Sequence, residues 1–167
     1  MKVSDAMESA YSDQVTLELW ASISYLQISA WFESKDLPGM ASWMRIQSGE
    51  EIGHALRFMD FLLARGNSLT IGTVESPKPT YGSAKAAFEA ALEQERTVSK
   101  AIRELYAMAS KEKDAESFPL LDWFLTEQVE EEDSVQKIVG QLRLAGQNGS
   151  ALLMLDRELG VRKPVAQ

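Results

Sequence analysis

Gly66-Asn67-Ser68-Leu69-Thr70-Ile71-Gly72-Thr73-Val74-Glu75-Ser76-Pro77-Lys78-Pro79-Thr80-Tyr81-Gly82 separates two long helix-forming segments, and its length decides how they can be arranged. From Asn67 to Gly82 it holds two prolines and two glycines, and Thr73-Val74-Glu75-Ser76-Pro77 reads as extended chain rather than helix. Fully stretched, these residues reach about 53 Å at ~3.3 Å each. The flanking segments run about 28 residues, roughly 42 Å as helix at 1.5 Å per residue. The connection can therefore travel the length of its neighbours and deliver the next helix parallel to the last one, where a short loop would force an antiparallel pair.

On either side, glycine and proline clusters divide the chain into stretches rich in Ala, Leu, Glu, Met and Gln, all good helix formers. The first opens at Ser4, a side chain suited to an N-cap, with Asp5 in the first turn, and runs to about Ser34. Asp36-Leu37-Pro38-Gly39 breaks it, and Pro38 suits the first turn of a second helix that continues to Arg65, before Gly66. A third starts near Ser83 and fades between Lys111 and Asp114, and a fourth runs from near Ser117, with Pro119 tolerated in its first turn, to Gly146. A short amphipathic fifth helix covers Ser150 to Leu159, ahead of a polar tail. The expected fold is all-α: a four-helix bundle with one long crossover between helices 2 and 3 and a short fifth C-terminal helix, in a single domain over 1–167 with the bundle at about 4–146.

Composition narrows the function classes. The chain has 167 residues, 45% apolar and 25% charged, which is enough apolar material for a core. A net charge of -8 repels phosphate backbones and attracts cations, so no nucleic-acid partner is expected. There is no cysteine, hence no disulfide framework and no thiolate metal site, and the single histidine excludes multi-histidine metal sites. Met-Lys-Val-Ser-Asp leads into polar sequence without a signal-peptide core, and no apolar run is long enough to span a bilayer. A cytoplasmic protein without a membrane partner is expected.

Steps of three and four residues along each helix define an inward stripe, and each stripe is interrupted by glutamate. The stripes are Tyr11, Val15, Glu18, Ala21 and Tyr25; Met44, Glu51, His54, Phe58 and Leu62; Phe88, Leu92, Glu95, Val98 and Ile102; and Phe124, Glu127, Glu131, Val135 and Ile138. Glu18, Glu51, Glu95 and Glu131 each lie about 12–14 residues into a helix, so at 1.5 Å per residue all four fall near mid-bundle whatever the helix direction. Anions gathered in a low-dielectric core cost several kcal/mol each unless protons or cations compensate, and none of these stripes carries a lysine or arginine near its glutamate. Carboxylate oxygens with one imidazole suit iron or manganese better than soft-ligand metals. Glu51-Ile52-Gly53-His54 adds the Glu-x-x-His spacing, which aims both side chains at one point on a helix face.

Blander readings stand beside this one. His54 alone is an ordinary core histidine, until the glutamates in phase with it make it a ligand. Glu127 to Asp133 reads as a solvated acidic face, and Glu132 and Asp133 are assigned to it, whereas Glu131 shares its face with Phe124 and Val135. The four tryptophans and seven methionines are read as packing. Tyr25 has two readings: a group that hydrogen-bonds a ligand or donates an electron, or a buried tyrosine with a satisfied hydroxyl. Leu152, Leu153, Leu155 and Leu159 are too few for a core of their own and imply a neighbour.

Leu17-Glu18-Leu19 with Tyr25 beyond it, Glu50-Glu51-x-x-His54, Asn67, Thr73-Val74-Glu75-Ser76-Pro77, Glu95, Glu127-Gln128-x-Glu130-Glu131 and Leu144-Ala145-Gly146 together resemble the bacterial non-haem ferritins over essentially the whole chain. The resemblance implies a ferritin-like bundle that stores iron. Glu18, Glu51 and His54 would hold one iron, and Glu51, Glu95 and Glu131, with Gln128 nearby, a second, Glu51 bridging. Glu50, Glu127 and Glu130, with Glu131, would form a third, adjacent site; Glu50 lies ~100° round the helix from Glu51. The implied reaction is ferroxidation at a di-iron site with Tyr25 beside it, Fe(II) and O2 being substrates, followed by mineralisation inside a homo-oligomeric 24-subunit cage with the fifth helix at a fourfold axis. Haem is not expected: the second Glu-x-x-His of haem-containing relatives reads Glu127-Gln128-Val129-Glu130 here, and Ile52 stands at their haem-binding methionine. Two alternatives remain open, a non-storage di-iron oxidase or peroxidase of the same superfamily, and a bundle whose glutamates are protonated and bind no metal.

Overall fold

A computed structural model describes residues 1–164; the expected domain limit at 167 takes in residues 165–167, which lie outside the described residues. Five α-helices follow one another, α1 (Asp5–Glu33), α2 (Pro38–Ala64), α3 (Ala84–Glu112), α4 (Phe118–Ala145) and α5 (Gly149–Leu159), with a 3-10 turn at Ala115–Ser117 before α4. Serines open two of them as the sequence implies: Ser4 accepts from the Met7 N–H and Ser83 from the Ala86 N–H. Asn148 caps α5 in the same way, one residue earlier than expected. Gly66 ends α2 with φ 81°, the left-handed region that glycine enters without steric cost. At the end of α3 the non-glycine Lys113 takes φ 60°, and its N–H bonds back to the Ser110 carbonyl, which explains why that helix fades without a glycine signal.

Two apolar clusters reveal how the helices run. One gathers Tyr25, Ile28 and Phe32 from the C-terminal half of α1, Met40 and Met44 from the start of α2, Phe88 and Leu92 from the start of α3, and Val135 and Leu142 from the end of α4. The other gathers Met7 and Tyr11, Phe58 and Leu62, Ile102 and Leu105, and Leu121 and Phe124, the opposite half of each helix. α1 and α4 therefore run one way, α2 and α3 the other. The parallel pair α2–α3 is what the long crossover permits.

The crossover lies along α1. Ser68 N–H donates to Glu8, Thr70 N–H to Ser12 Oγ at 3.3 Å, Gly72 N–H to Thr16 Oγ1 at 2.9 Å, and Gln27 reaches the Pro79 carbonyl. Partners thus advance up α1 as the crossover advances, and the side chains replace the hydrogen bonds that helix would otherwise supply. Its origin is fixed by Asn67, which exchanges hydrogen bonds with both the N–H and the carbonyl of Val3.

α5 does not wait for a neighbour to cover all its leucines. Leu155 is buried against the bundle, and Leu152 and Leu159, on the same helix face, pack beside it; Leu153 and Met154 remain exposed on the other face. The docking is close: a Cβ placed on Gly39 would lie 1.7 Å from the Asp156 carbonyl oxygen, so only glycine allows it. Asp156 Oδ1 also accepts the Met40 N–H at 2.8 Å, satisfying an orphan amide in the first turn of α2.

Candidate metal centre

Between the two apolar clusters lies a layer of acid. Glu18, Glu51, Glu95 and Glu131 are all buried, each about halfway along its helix, with His54 one turn beyond Glu51. The helical period forces this outcome: a residue in phase with Tyr11, Val15 and Tyr25 cannot face outward without taking those side chains with it. The structure brings Glu18, Glu51 and His54 together so that one ligand atom from each lies within 4.8 Å of the others, and His54 Nδ1 is 3.2 Å from Glu51 Oε2. It does the same for His54, Glu127 and Glu131.

Glu95 is drawn into a hydrogen-bond network instead. The Tyr25 hydroxyl donates to its Oε1, and Gln128 Nε2 lies 3.2 Å from its Oε2, from its carbonyl and from Ser99 Oγ. Tyr25 is fully buried and its hydroxyl is satisfied by Glu95, an arrangement that both of its readings share. Two further glutamines were not singled out from sequence. Gln14 donates to Glu18 at 2.7 Å and Gln47 to Glu131 at 2.8 Å. Gln14 lies four residues before Glu18 and Gln47 four before Glu51, so a glutamine one turn ahead of a core glutamate was the available signal.

Glu50, Glu127 and Glu130 line an adjoining cavity of about 620 Å³, with Glu131 and His54 between it and the core. Here the sequence reading needs correction. Glu127, placed on the inward stripe of α4, is half-buried, and Gln128 takes the fully inward position because four residues from Phe124 keeps the phase better than three. Glu130 is exposed. Glu50 carries an ion pair that sequence reading did not anticipate, 2.7 Å to Arg162 beyond α5.

Burial governs the electrostatics. Loss of water, reinforced by the charge of Glu51, pushes the Glu18 carboxyl well above the usual glutamate range; Glu51 rises likewise through burial and through Glu95 and Glu131. Glu95 and Glu131 are raised by burial to about 7, the rise being moderated by Tyr25 and Gln128 for Glu95 and by Gln47 for Glu131. Glu18 Oε2 and Glu51 Oε1 are buried without a hydrogen-bond partner. Orphaned anionic oxygens facing one another in a dry layer require either protons or positive ions, and oxygen donors with one imidazole match hard or borderline cations.

The model of a family described as ferritin-like domain matches residues 9–145. A bacterial non-heme ferritin of Bacteroides fragilis is 36% identical over 160 residues, covering 96% of this chain and 99% of that one. Among solved structures, a closed form of the Archaeoglobus fulgidus ferritin engineered by site-directed mutagenesis superposes with a TM-score of 0.96 at 40% identity, over 98% of this chain and 100% of the other. An open pore ferritin from the same archaeon gives a TM-score of 0.95 at 41% identity, over 96% and 98%. Among the described residues no helix is long and apolar enough to cross a membrane.

Proposed function

The chain belongs to the ferritin-like domain family, and from that membership we propose that it is an iron-storing ferritin subunit whose buried acidic layer oxidises Fe(II) with dioxygen. One observation carries the reading: four buried glutamates and a buried histidine at one level of the bundle, two of their oxygens without any partner. Glu18, Glu51 and His54 hold one ferrous ion, and Glu51, Glu95 and Glu131 the second, with Glu51 shared between them. Glu50, Glu127 and Glu130 serve a third. Gln14, Gln47 and Gln128 orient the carboxylates through their amide N–H groups, as outer-shell partners of metal ligands generally do.

Each ferrous ion gives up one electron, and dioxygen takes the two electrons with two protons. Anionic oxygen donors favour this direction because they bind ferric more strongly than ferrous iron. Tyr25 favours the ionised, metal-binding form of Glu95 by donating to it, which offsets part of the rise that burial causes. Ferric product then leaves for the interior of a homo-oligomeric cage, of 24 subunits by analogy with ferritins, in the cytoplasm.

Aerobic oxidation of Fe(II), followed by absorbance with metal stoichiometry measured in parallel, tests the reading. Glu51→Ala and Glu18→Ala are expected to lower the initial rate at least tenfold and to remove bound metal. If both variants keep the parent rate and stoichiometry, the bundle is not a metal centre.

A further inference from the structure

Past α5 the chain turns back toward the acidic centre. Gly160 lies against Gly39, and the Val161 and Arg162 N–H groups bond to the Glu158 and Leu159 carbonyls, so the segment leaving the docked helix has a defined direction. Arg162 places its guanidinium 4.6 Å from the centre of the Trp43 ring and donates from Nη2 to Glu50 Oε2 at 2.7 Å. The pair sits in the wall of the 620 Å³ cavity, facing Glu127, Glu130 and Glu131. Arg57, the other arginine of that wall, stacks on Trp123 at 3.7 Å. Arg162 is therefore the cation attached to Glu50, supplied by a part of the chain 112 residues away.

The guanidinium occupies Glu50 Oε2 and leaves Oε1 buried without a hydrogen-bond partner, so a metal ion that takes both oxygens must displace it, and one that takes Oε1 alone must sit beside its positive charge. The arginine is tethered, so it competes at a high effective concentration that dilution does not lower. We propose that Arg162 is a built-in competitor for the third metal position: its guanidinium holds one oxygen of Glu50 and opposes a cation at the other, and the cost of displacing or tolerating that charge sets the affinity of the position below that of the two others. The proposal rests on the reading of the acidic layer given above. A partly exposed ion pair together with an arginine stacked on indole makes the penalty about tenfold in affinity.

Calorimetric titration of the metal-free, assembled protein with Zn²⁺, which does not oxidise, measures each equivalent separately. Arg162→Gln is expected to tighten the third equivalent about tenfold, or to reveal it where the parent shows none, with the first two unchanged. Arg162→Lys keeps the charge but loses the fork and the stacking, and falls between. Glu50→Gln added to Arg162→Gln cancels the gain. An arginine that merely held the tail in place would, on removal, weaken all equivalents or none, and that result, or a third equivalent that is unmoved or absent in both proteins, overturns the proposal. Glu18→Ala with Glu51→Ala separates the two readings. If the first two equivalents vanish there while Arg162→Gln changes nothing, only the competitor fails; if they persist, the metal centre itself does.

Discussion

Glu95 and Glu131 retain their protons to about pH 7, where an ordinary glutamate has lost its proton near 4.5. Between those values the folded, metal-free chain binds more protons than the unfolded one, so these two groups lower stability as pH rises from 4.5 through 7 and cost nothing below 4.5. Denaturant unfolding of the metal-free protein at a series of pH values checks this: Glu95→Gln and Glu131→Gln should each gain stability relative to the parent as pH rises across that window and match it at about pH 4. Tyr25 acts in the opposite direction, because its hydrogen bond lowers the Glu95 pKa. Tyr25→Phe should therefore shift the pH midpoint of Zn²⁺ uptake upward, since protons hold Glu95 longer against the metal. A midpoint that stays in place would assign Tyr25 to packing alone.

At the scale of helices, the decisive contacts are those where two elements approach too closely for any side chain. Gly39→Ala drives a methyl into the Asp156 carbonyl and should release α5 from the start of α2. Hydrogen exchange of the α5 amides would then accelerate while α1 to α4 keep their protection, and uniform loss of protection would contradict the local account. The helices themselves were legible in the sequence, because the cap at Ser4, the start near Ser83, the break at Asp36 to Gly39 and the crossover length are local signals. The four glutamates were legible as well, since the helical period alone puts them inward. Arg162 on Glu50, Asp156 on Met40 and Gln47 on Glu131 were not, because each joins residues 84 to 116 positions apart and exists only after the helices have packed. Glu127 and Gln128 mark the resolution of periodic reasoning: neighbours at the edge of a stripe exchange places with a small rotation of the helix.

For the whole molecule, the face of α5 turned away from its own bundle carries Leu153 and Met154, and Val161 follows it, all largely exposed in the single chain. Apolar side chains presented together in this way suit contact with further copies. Met154→Glu should lower the native mass from that of the proposed cage, about 450 kDa if it holds 24 chains of 18.6 kDa, while leaving the circular dichroism of the bundle intact. A parent protein that elutes as a dimer would remove the storage reading and leave a di-iron oxidase. The crossover has a further consequence. It is the only covalent link between two helical hairpins, and between Gly72 and Pro79 most of it is exposed. A single backbone cut there would leave one fragment owning Glu18, Glu51 and His54 and another owning Glu95 and Glu131. On the proposed assignment the first piece would keep one donor set whole, Glu18 with Glu51 and His54, whereas the second set would be divided between Glu51 on one side and Glu95 with Glu131 on the other, so the second ion would become the rivet between the severed halves.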